Sequence, residues 1–527
     1  MAGFVDVLLQ GLILVLTSIV LGGVAWTRLV LRAEPDAKPH AATTLALRVV
    51  AAAASLGVVA QGATMAVALG ALAGPHGHWP AALYIDTSFA RTALVRMGIG
   101  VATAVLALVL ARRPAGRGAW LALTGTALAL TASSAALSHA VARVDHRVFL
   151  MALDAAHQTA AALWVGGLVH LVVAASRGVF TRPDSPLDSS IVIRRFSTLA
   201  FWSVATLLVA GVALTWVYVG DLAALVGTAY GIMILSKVAL LTAALGLAYA
   251  NLRFVRRALA PPGMRLFRFV EVEMGLVITV LFAAASLTSL PPAVDVTTDR
   301  ATLAEVGSRF APTVPRLSSP PIDELLKAAD PLMARQLERK PVERAWSEYN
   351  HHWAGLFVLT MGGLAALERL GVRPARHWPL IFLGLATFLF VRNDPRAWPL
   401  GPAGFWESLM LPDVLQHRAF VAIIVAFGVF EWTVRTGRLP ARPWAFVFPL
   451  LCAVGGGMLL THSHAMFNLK EEFLTEVTHA PLGILGAFAG WGRWLELRLP
   501  EAGRGPGWLW IGCLSAVGAL LLVYREG

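Results

Sequence analysis

The amino-acid sequence predicts an all-α integral membrane protein, and two observations lead to that fold class. Of its 527 residues, 57% are hydrophobic and 14% are charged, and the mean hydropathy is +0.68. Apolar runs of about 20 residues, the length that spans the hydrocarbon core of a bilayer, recur along the chain. We therefore expect a polytopic protein with about 14 transmembrane helices in an arrangement of eight followed by six.

A polar stretch rich in proline separates the two sets of predicted spans. It divides the chain into an eight-span domain over 1–290, a connector over 291–349 and a six-span domain over 350–527. The connector includes a charged amphipathic piece, Ile322 to Lys340, which Pro331 interrupts. From the apolar run lengths, the spans are expected near 4–31, 44–73, 89–111, 119–142, 147–176, 196–218, 227–255, 267–290, 351–370, 377–392, 417–435, 444–462, 474–495 and 507–524.

The positive charge of the chain indicates membrane topology. The net charge is +12, but the basic residues form short clusters between apolar runs, so we expect no nucleic-acid partner. Every second connection carries such a cluster, and short loops rich in Lys and Arg face the cytoplasm. This alternation predicts that both termini and the connector lie on the external side.

The stretch from Leu137 to Leu171 contains the first candidate metal site. It includes His139, and then Asp154, His157 and Trp164, which are spaced to share one helix face. Ionisable groups inside a membrane are costly and usually face a bundle interior or a cavity. His170 lies about 140° around the helix from His157 and is predicted to be a satisfied interior histidine. Two further charged residues inside spans, Arg96 and Lys237, are expected to point inward.

Most of the fourteen histidines fall at or near the predicted external face, which indicates capture of a metal or a haem there. In the second half a carboxylate precedes a histidine by three or four residues in Glu348–His351, Asp413–His417 and Glu476–His479. The stretch His462-Ser-His464-Ala-Met466 combines imidazole and thioether, which suit Cu(I), and the glycines just before it permit close helix approach. The predicted ligands are His139, Asp154, His157, His351, His352, His417, His462, His464, Met466 and His479.

The first 290 residues resemble the copper resistance protein D family of bacterial inner-membrane proteins. The resemblance rests on Ser138-His139-Ala140, on Asp154-Ala-Ala-His157 followed by Leu163-Trp164-Val165-Gly166-Gly167-Leu168, and on Arg96, Arg195-Phe196-Ser197, Gly211, Lys237, Asn251, Glu273 and Leu287 to Pro292. It implies that copper meets His139 and His157 near the periplasmic face, in a multi-pass protein of the bacterial inner membrane. The second half is only faintly similar to membrane proteins that load copper into oxidases.

Three functions remain open from the sequence. The first is copper transport or homeostasis without catalysis, in which periplasmic copper is captured by His and Met ligands and moves across or into the membrane. The second is a membrane redox protein with haem b held by histidine pairs such as His139 with His157 or His417 with His479. The third is a scaffold that delivers copper to another membrane protein, with a periplasmic copper-binding protein as a partner. No nucleophile elbow or nucleotide loop supports a hydrolase.

Overall fold

The fold is seen in a computed structural model, which describes residues 2–34, 39–72, 80–113, 116–135, 145–180, 188–257, 264–328, 341–392, 394–461, 470–499 and 504–526. Within these ranges every regular element is a helix. The chain forms two compact units, which we call the N-terminal unit (residues 2–225 and 233–296) and the C-terminal unit (residues 226–232 and 297–527).

Most helices of the first 296 residues are long and apolar, and α3 and α8 are short. α1 continues into a π-helical turn over Trp26–Val30, and a single 3₁₀ turn lies at Ala293–Asp295. The α-helices are α1 (Ala2–Ala25), α2 (Ala41–Leu72), α3 (Ala81–Ile85), α4 (Ser88–Arg112), α5 (Arg117–Ala135), α6 (Arg147–Ser176), α7 (Ser189–Val219), α8 (Leu222–Gly227), α9 (Ala229–Arg257) and α10 (Met264–Leu287).

The remaining helices alternate between short connecting elements and long apolar ones. A 3₁₀ helix over Arg373–Leu380 leads directly into α14. The α-helices are α11 (Leu303–Arg309), α12 (Ile322–Ala328), α13 (Pro341–Arg369), α14 (Ile381–Arg392), α15 (Phe405–Met410), α16 (Pro412–Arg435), α17 (Ala441–Trp444), α18 (Val447–Thr461), α19 (Lys470–Glu476), α20 (His479–Arg498) and α21 (Gly505–Leu522).

Ten of the described helices are long and apolar enough to cross a membrane, which supports a multi-pass membrane protein. The predicted count of fourteen stays a prediction, since α5, α13, α18 and α20 are not among the ten. Several boundaries differ from the expected spans. α13 begins at Pro341 and so takes in the last residues of the predicted connector, because proline is favoured in the first turn of a helix. The predicted span 474–495 is α20, which begins at His479 after the separate α19.

α1 is the central helix of the N-terminal unit, and it packs against α2, α5, α6 and α10. It approaches α6 closely, with the backbone of Gly166 against Ser18 and Gly22 of α1. Arg96 of α4 is only 4% exposed, and it donates to the Leu130 carbonyl at 3.2 Å and to Ser133 and Ser134 of α5. The expectation that Arg96 points inward is therefore confirmed.

The helices of the C-terminal unit pack as antiparallel pairs. α13 lies along α21, with Gly355 against Leu522 and Gly362 against Ser515. α18 lies along α20, where a Cβ on Gly456 would come within 2.4 Å of the Ala487 nitrogen. Of the glycines before His462 that were expected to permit close approach, Gly456 does so, whereas Gly455 faces open space. As a consequence, the start of α13, the end of α21, the end of α18 and the start of α20 share one end of this unit.

An ion pair fixes α11, which lies in the predicted connector, to α19. Thr302 and Glu305 form a reciprocal capping box at the start of α11, and Glu305 accepts a hydrogen bond from Lys470 at 2.7 Å. The Lys470 ammonium and the Thr302 donors lower the pKa of the exposed Glu305 carboxyl from 4.5 to about 2. The same contact raises the pKa of Lys470. Beneath this pair Val306 packs against Phe473 and Leu474.

We expect Glu305→Gln to lower the melting temperature at pH 7 but not at pH 2. The folded-state pKa lies below the unfolded value, so ionised Glu305 stabilises the fold above pH 4.5, and this contribution is lost as the pH falls towards 2. The glutamine can still accept from Thr302, so the difference reports the charge. The measurement is the difference in melting temperature between the two proteins at a series of pH values. A constant difference across that range would contradict the expectation.

Candidate metal sites

The imidazole of His157 is held by α7 in an orientation that suits a metal ligand. Its Nδ1 lies 3.0 Å from the carbonyl oxygen of Leu207. Because a carbonyl can only accept, Nδ1 carries the proton and Nε2 carries the lone pair. A backbone carbonyl on one ring nitrogen is the usual outer-shell partner of a metal-bound histidine. The half-buried ring therefore presents Nε2 as a ligand atom.

Gly211 leaves the space in which the His157 ring lies. It follows Leu207 by one helical turn, and a Cβ at this position would stand 3.0 Å from Cε1 of His157 and 3.4 Å from Nδ1. A side chain there would push the ring away from the Leu207 carbonyl. The Leu207 carbonyl therefore orients the imidazole by a hydrogen bond, and Gly211 leaves the room that this orientation needs.

Gly211→Ala is expected to weaken metal binding at His157 by about tenfold, the loss typical of a disturbed outer-shell contact. The added methyl must move the ring by a few tenths of an ångström and so lengthen the bond to Leu207. The measurement is a copper titration of purified protein. Gly246→Ala in α9 is the control, because nothing lies within 4 Å of a Cβ there. Equal affinity in the two variants would show that Gly211 does not position the ring.

A carboxylate and an ammonium accompany His157. Asp154 lies one turn earlier in α6 and accepts a hydrogen bond from Gln158 at 2.9 Å. Lys237 of α9 lies close enough to both Asp154 and His157 to interact with them electrostatically. The sequence assigned no partner to Lys237. In the structure Asp154 lies within electrostatic range of it.

Trp164, the third member of the predicted stripe, contacts a different carboxylate. Its Nε1 donates to Glu273 of α10 at 3.3 Å, and Asn251 of α9 donates to the same carboxylate at 2.9 Å. All three side chains are buried. This hydrogen-bonded triad ties α6 to α9 and α10, and so fixes the helix that carries His157. The sequence identified these residues but not their connection.

His170 is an interior histidine, as expected, but it is not satisfied. It is 2% exposed, and neither ring nitrogen has a hydrogen-bond partner among the described residues. The ring packs against Gly23 and Val50, where a Cβ on Gly23 would come within 2.1 Å of Nε2. Neither Gly23 nor Val50 has a polar side chain that could pair with the ring nitrogens. The expectation of a satisfied side chain is therefore wrong.

In the C-terminal unit two of the predicted ligands lie together. His351 of α13 and His479 of α20 have ring centroids 6.0 Å apart. His351 also stacks on Tyr524 with centroids 4.0 Å apart, and its Nδ1 lies 2.8 Å from the Ser347 carbonyl. By the argument used for His157, this bond puts the lone pair of His351 on Nε2. The helix packing thus brings two residues 128 positions apart in the sequence to one place.

The neighbouring His352 has a structural environment. It is completely buried; its Nδ1 accepts from the backbone N–H of Arg316 at 2.6 Å, and its Nε2 donates to the Tyr524 carbonyl at 2.8 Å. Both ring nitrogens are therefore occupied by backbone groups. We omit His352 from the ligand set proposed below. Glu348, the expected carboxylate partner of His351, makes an ion pair with Arg316 at 3.5 Å.

His417 pairs with a carboxylate that the sequence pattern did not identify. Its Nδ1 lies 2.8 Å from Asp394, which precedes it by 23 residues. Asp413 was the expected partner, and its side chain is outside those that the structure describes. Helical spacing suggested Asp413, one turn before His417. The carboxylate that contacts His417 belongs instead to Asp394, in the loop after α14.

Four predicted ligands lie outside the described residues, namely His139, His462, His464 and Met466. Within the ranges that the structure covers, no group of three or more His, Cys, Asp or Glu side chains could by itself hold a metal ion. His157 with Asp154, and His351 with His479, are therefore incomplete ligand sets in the described part of the chain. Those predicted ligands that the structure does describe, in either unit, stay predictions.

Comparison with known proteins bears on the helices that hold His157. The family model of copper resistance protein D matches residues 190–287, which comprise most of α7 to α10. This part of the chain is therefore similar to copper resistance protein D. The copper resistance protein D region contains Leu207, Gly211, Lys237, Asn251 and Glu273, the residues that surround His157 and Trp164. α6 itself precedes the matched segment.

A curated relative supports the same family. The chain is 32% identical over 139 residues to a copper transport protein of Bacillus subtilis (strain 168), named CutJ. The alignment covers 26% of this chain, and it spans only a quarter of the length of that relative, 25%. No solved structure matches the chain. The copper resistance protein D match ends at residue 287.

Proposed function

We propose that this chain is a copper transport protein of the bacterial inner membrane, which captures copper at the periplasmic face and moves it across or into the membrane. The observation that carries the proposal is the His157 arrangement. The Leu207 carbonyl fixes the tautomer that exposes Nε2, the Asp154 carboxylate lies one turn away, and the holding residues lie in the copper resistance protein D region. The family and the relative are both named for copper.

The proposed ligands of the first site are His157 and Asp154, with His139 as a third. The second proposed site comprises His351 and His479, completed by His462, His464 and Met466, and His417 is a further candidate. The chain segment with the last three residues follows α18 directly in the sequence, and α18 ends beside the start of α20. An imidazole and thioether set suits Cu(I), whose affinity for soft ligands is high.

Both proposed sites lie on the external side in this proposal. Connections rich in basic residues alternate with connections poorer in them, so both termini and the 291–349 connector are assigned to the periplasm. A periplasmic copper-binding protein is then a plausible donor of the ion. Passage requires that the ligands bind copper tightly enough to capture it and weakly enough to release it. No catalytic role is proposed.

The test is copper flux into proteoliposomes that contain only this protein. Vesicles with a Cu(I)-sensitive dye inside are supplied with external Cu(I), and the signal is compared with protein-free vesicles and with the His157→Ala variant. The proposal expects uptake by the wild type that the variant loses. Copper binding without flux would instead favour a scaffold that delivers copper to another protein. Absence of both binding and flux would overturn the proposal.

Haem b is the alternative occupant of the histidine pairs. The two matches name copper, and neither names haem, so this alternative rests on the sequence pattern alone. The absorption spectrum of the purified protein decides it. We expect no Soret band. A Soret band in the wild type that is lost in His157→Ala or His479→Ala would show that the histidines bind haem and would contradict the copper proposal.

A further inference from the structure

A cluster of arginine and glutamate side chains lies at the opposite end of α13 from His351. Its residues lie on α13, α16 and α20 and at the start of α21. It consists of four arginines and three glutamates, Glu368, Arg369, Glu431, Arg435, Arg493, Glu496 and Arg504. We call these seven residues the arginine cluster. No proposed copper ligand belongs to it, and the inference below is independent of the proposed function.

Ion pairs connect most of the arginine cluster. Glu431 is 1% exposed and lies between two guanidinium groups, with Arg435 at 2.6 Å and Arg493 at 3.7 Å. Arg435 also pairs with Glu368, and Arg493 pairs with Glu496 at 2.6 Å. Arg369 pairs with Glu496 as well. Buried charges require such compensation, since an uncompensated ion in a protein interior is strongly destabilising.

The compensation is incomplete. Four guanidinium groups face three carboxylates, so the arginine cluster carries one excess positive charge. In addition, Nη2 of Arg435 and Nε of both Arg369 and Arg493 are buried without a hydrogen-bond partner among the described residues. The Arg435 side chain is only 10% exposed. A buried donor that lacks an acceptor costs free energy, and an anion would supply the missing acceptors.

The arginine cluster surrounds a cavity of about 360 Å³. Arg369, Arg435, Arg493 and Arg504 all line it, together with Glu368, Glu496 and the ring of Trp510. This volume is within the range of small-ligand sites. Arg504 is exposed at the cavity and makes no ion pair in the described structure. Guanidinium forks match the geometry of phosphate oxygens, and several of them facing one cavity are typical of phosphate recognition.

Aromatic rings fix the buried guanidinium groups in place. Arg435 lies 4.9 Å from the centroid of Trp378 and 5.7 Å from that of Trp510. The indole nitrogens donate to the glutamates, Trp378 to Glu368 at 3.0 Å and Trp510 to Glu496 at 2.7 Å. The glutamates therefore already receive several donors, whereas the arginine nitrogens named above still lack acceptors. This imbalance favours an anionic ligand over a cation.

We propose that the cavity of the arginine cluster binds a phosphate group, with Arg435, Arg493 and Arg504 as donors. The same end of the unit carries the basic connections that predict the cytoplasmic side. Two sources of phosphate are present there, soluble phosphate compounds and the headgroups of anionic phospholipids in the inner leaflet. The chemistry of recognition is the same for both, and the experiment separates them.

The test uses the full chain in neutral detergent with two probes, inorganic phosphate and phosphatidylglycerol in mixed micelles; phosphatidylcholine is the lipid control. Melting temperature is measured for each probe, and bound lipid is counted by native mass spectrometry. We expect at least one probe to raise the melting temperature of the wild type. Stabilisation by phosphatidylglycerol alone identifies a lipid headgroup, and stabilisation by inorganic phosphate identifies a soluble phosphate ligand. No stabilisation by either probe overturns the proposal.

Arg504→Gln is the decisive variant. Only the backbone carbonyl of Arg504 contacts Arg369, at 3.1 Å, so the fold does not depend on the substituted side chain. We expect the variant to weaken probe binding about tenfold, and Arg504→Lys to recover part of the affinity because the charge returns without the fork. Arg373→Gln is the matched control, an exposed arginine at the same end and outside the cavity. Equal loss in Arg504→Gln and Arg373→Gln would mean non-specific attraction and would refute the site.

Discussion

Replacing His157 with alanine is expected to lower the copper affinity of the N-terminal site by at least about 100-fold. The variant removes the ligand atom itself, whereas loss of an outer-shell partner usually costs 10- to 100-fold. The carbonyl of Leu207 then loses its donor, but it can still be satisfied within α7, so the helix packing should persist. Copper affinity from a competition titration and copper content per chain from element analysis are the measurements.

His146→Asn is the matched control for that experiment. His146 lies at the start of the same helix, is exposed, and has φ of +54°, a left-handed conformation that asparagine tolerates well. The control removes an imidazole from the same region without touching the proposed ligands. If both variants bound copper as tightly as the wild type, His157 would not be a ligand. If both lost copper equally, the effect would reflect the total number of histidines.

The sequence was sufficient for the helical class because hydrophobic run length is a local property. Ten of the described helices correspond to predicted spans, and their ends fall within a few residues of the expected ones for α2, α6 and α9. Polar first turns hide the ends of other helices. The first turns of α13, with Glu343 and Arg344, looked like part of the connector although they continue the helix.

The arrangement around His157 could be predicted only in part. Three residues within one helix, Asp154, His157 and Trp164, are related by helical periodicity, which the sequence contains. The acceptor on Nδ1 is a backbone carbonyl of Leu207, fifty residues later, and no side-chain pattern indicates a carbonyl. Gly211 was recognised through the family resemblance. That it leaves room for the His157 ring became visible only from the packing of α6 on α7.

The arginine cluster illustrates the same limit in the C-terminal unit. Its arginines were assigned to topology because they end spans, and that interpretation remains compatible with their position. Each of its three glutamates is close in sequence to an arginine on the same helix. Glu431 precedes Arg435 by four residues, Glu496 follows Arg493 by three, and Glu368 is adjacent to Arg369. Pairs three or four residues apart are common on helix surfaces. Only the tertiary packing shows that Glu431 is 1% exposed and shared by Arg435 and Arg493.

Close helix packing is the second feature with a large expected effect, and Gly166 is the position at which to test it. A Cβ at Gly166 would stand 1.9 Å from the carbonyl oxygen of Ser18 and 2.9 Å from the Cα of Gly22. Both atoms belong to the backbone of α1, so no side chain can rotate away. Small residues that let helix backbones approach are the usual basis of helix association in membranes.

Gly166→Ala is therefore expected to destabilise the N-terminal unit by about 3 kcal/mol, the upper part of the range for overpacked cores. Gly246→Ala has open space around its Cβ and should be neutral or stabilise by up to about 1 kcal/mol, because alanine is the better helix former. The measurement is the melting temperature of each variant in the same detergent. The two substitutions add the same methyl group to a helix interior, and only the neighbouring backbone differs. Opposite shifts would establish that α1 and α6 meet at Gly166, while equal shifts would show that these helices do not approach closely there.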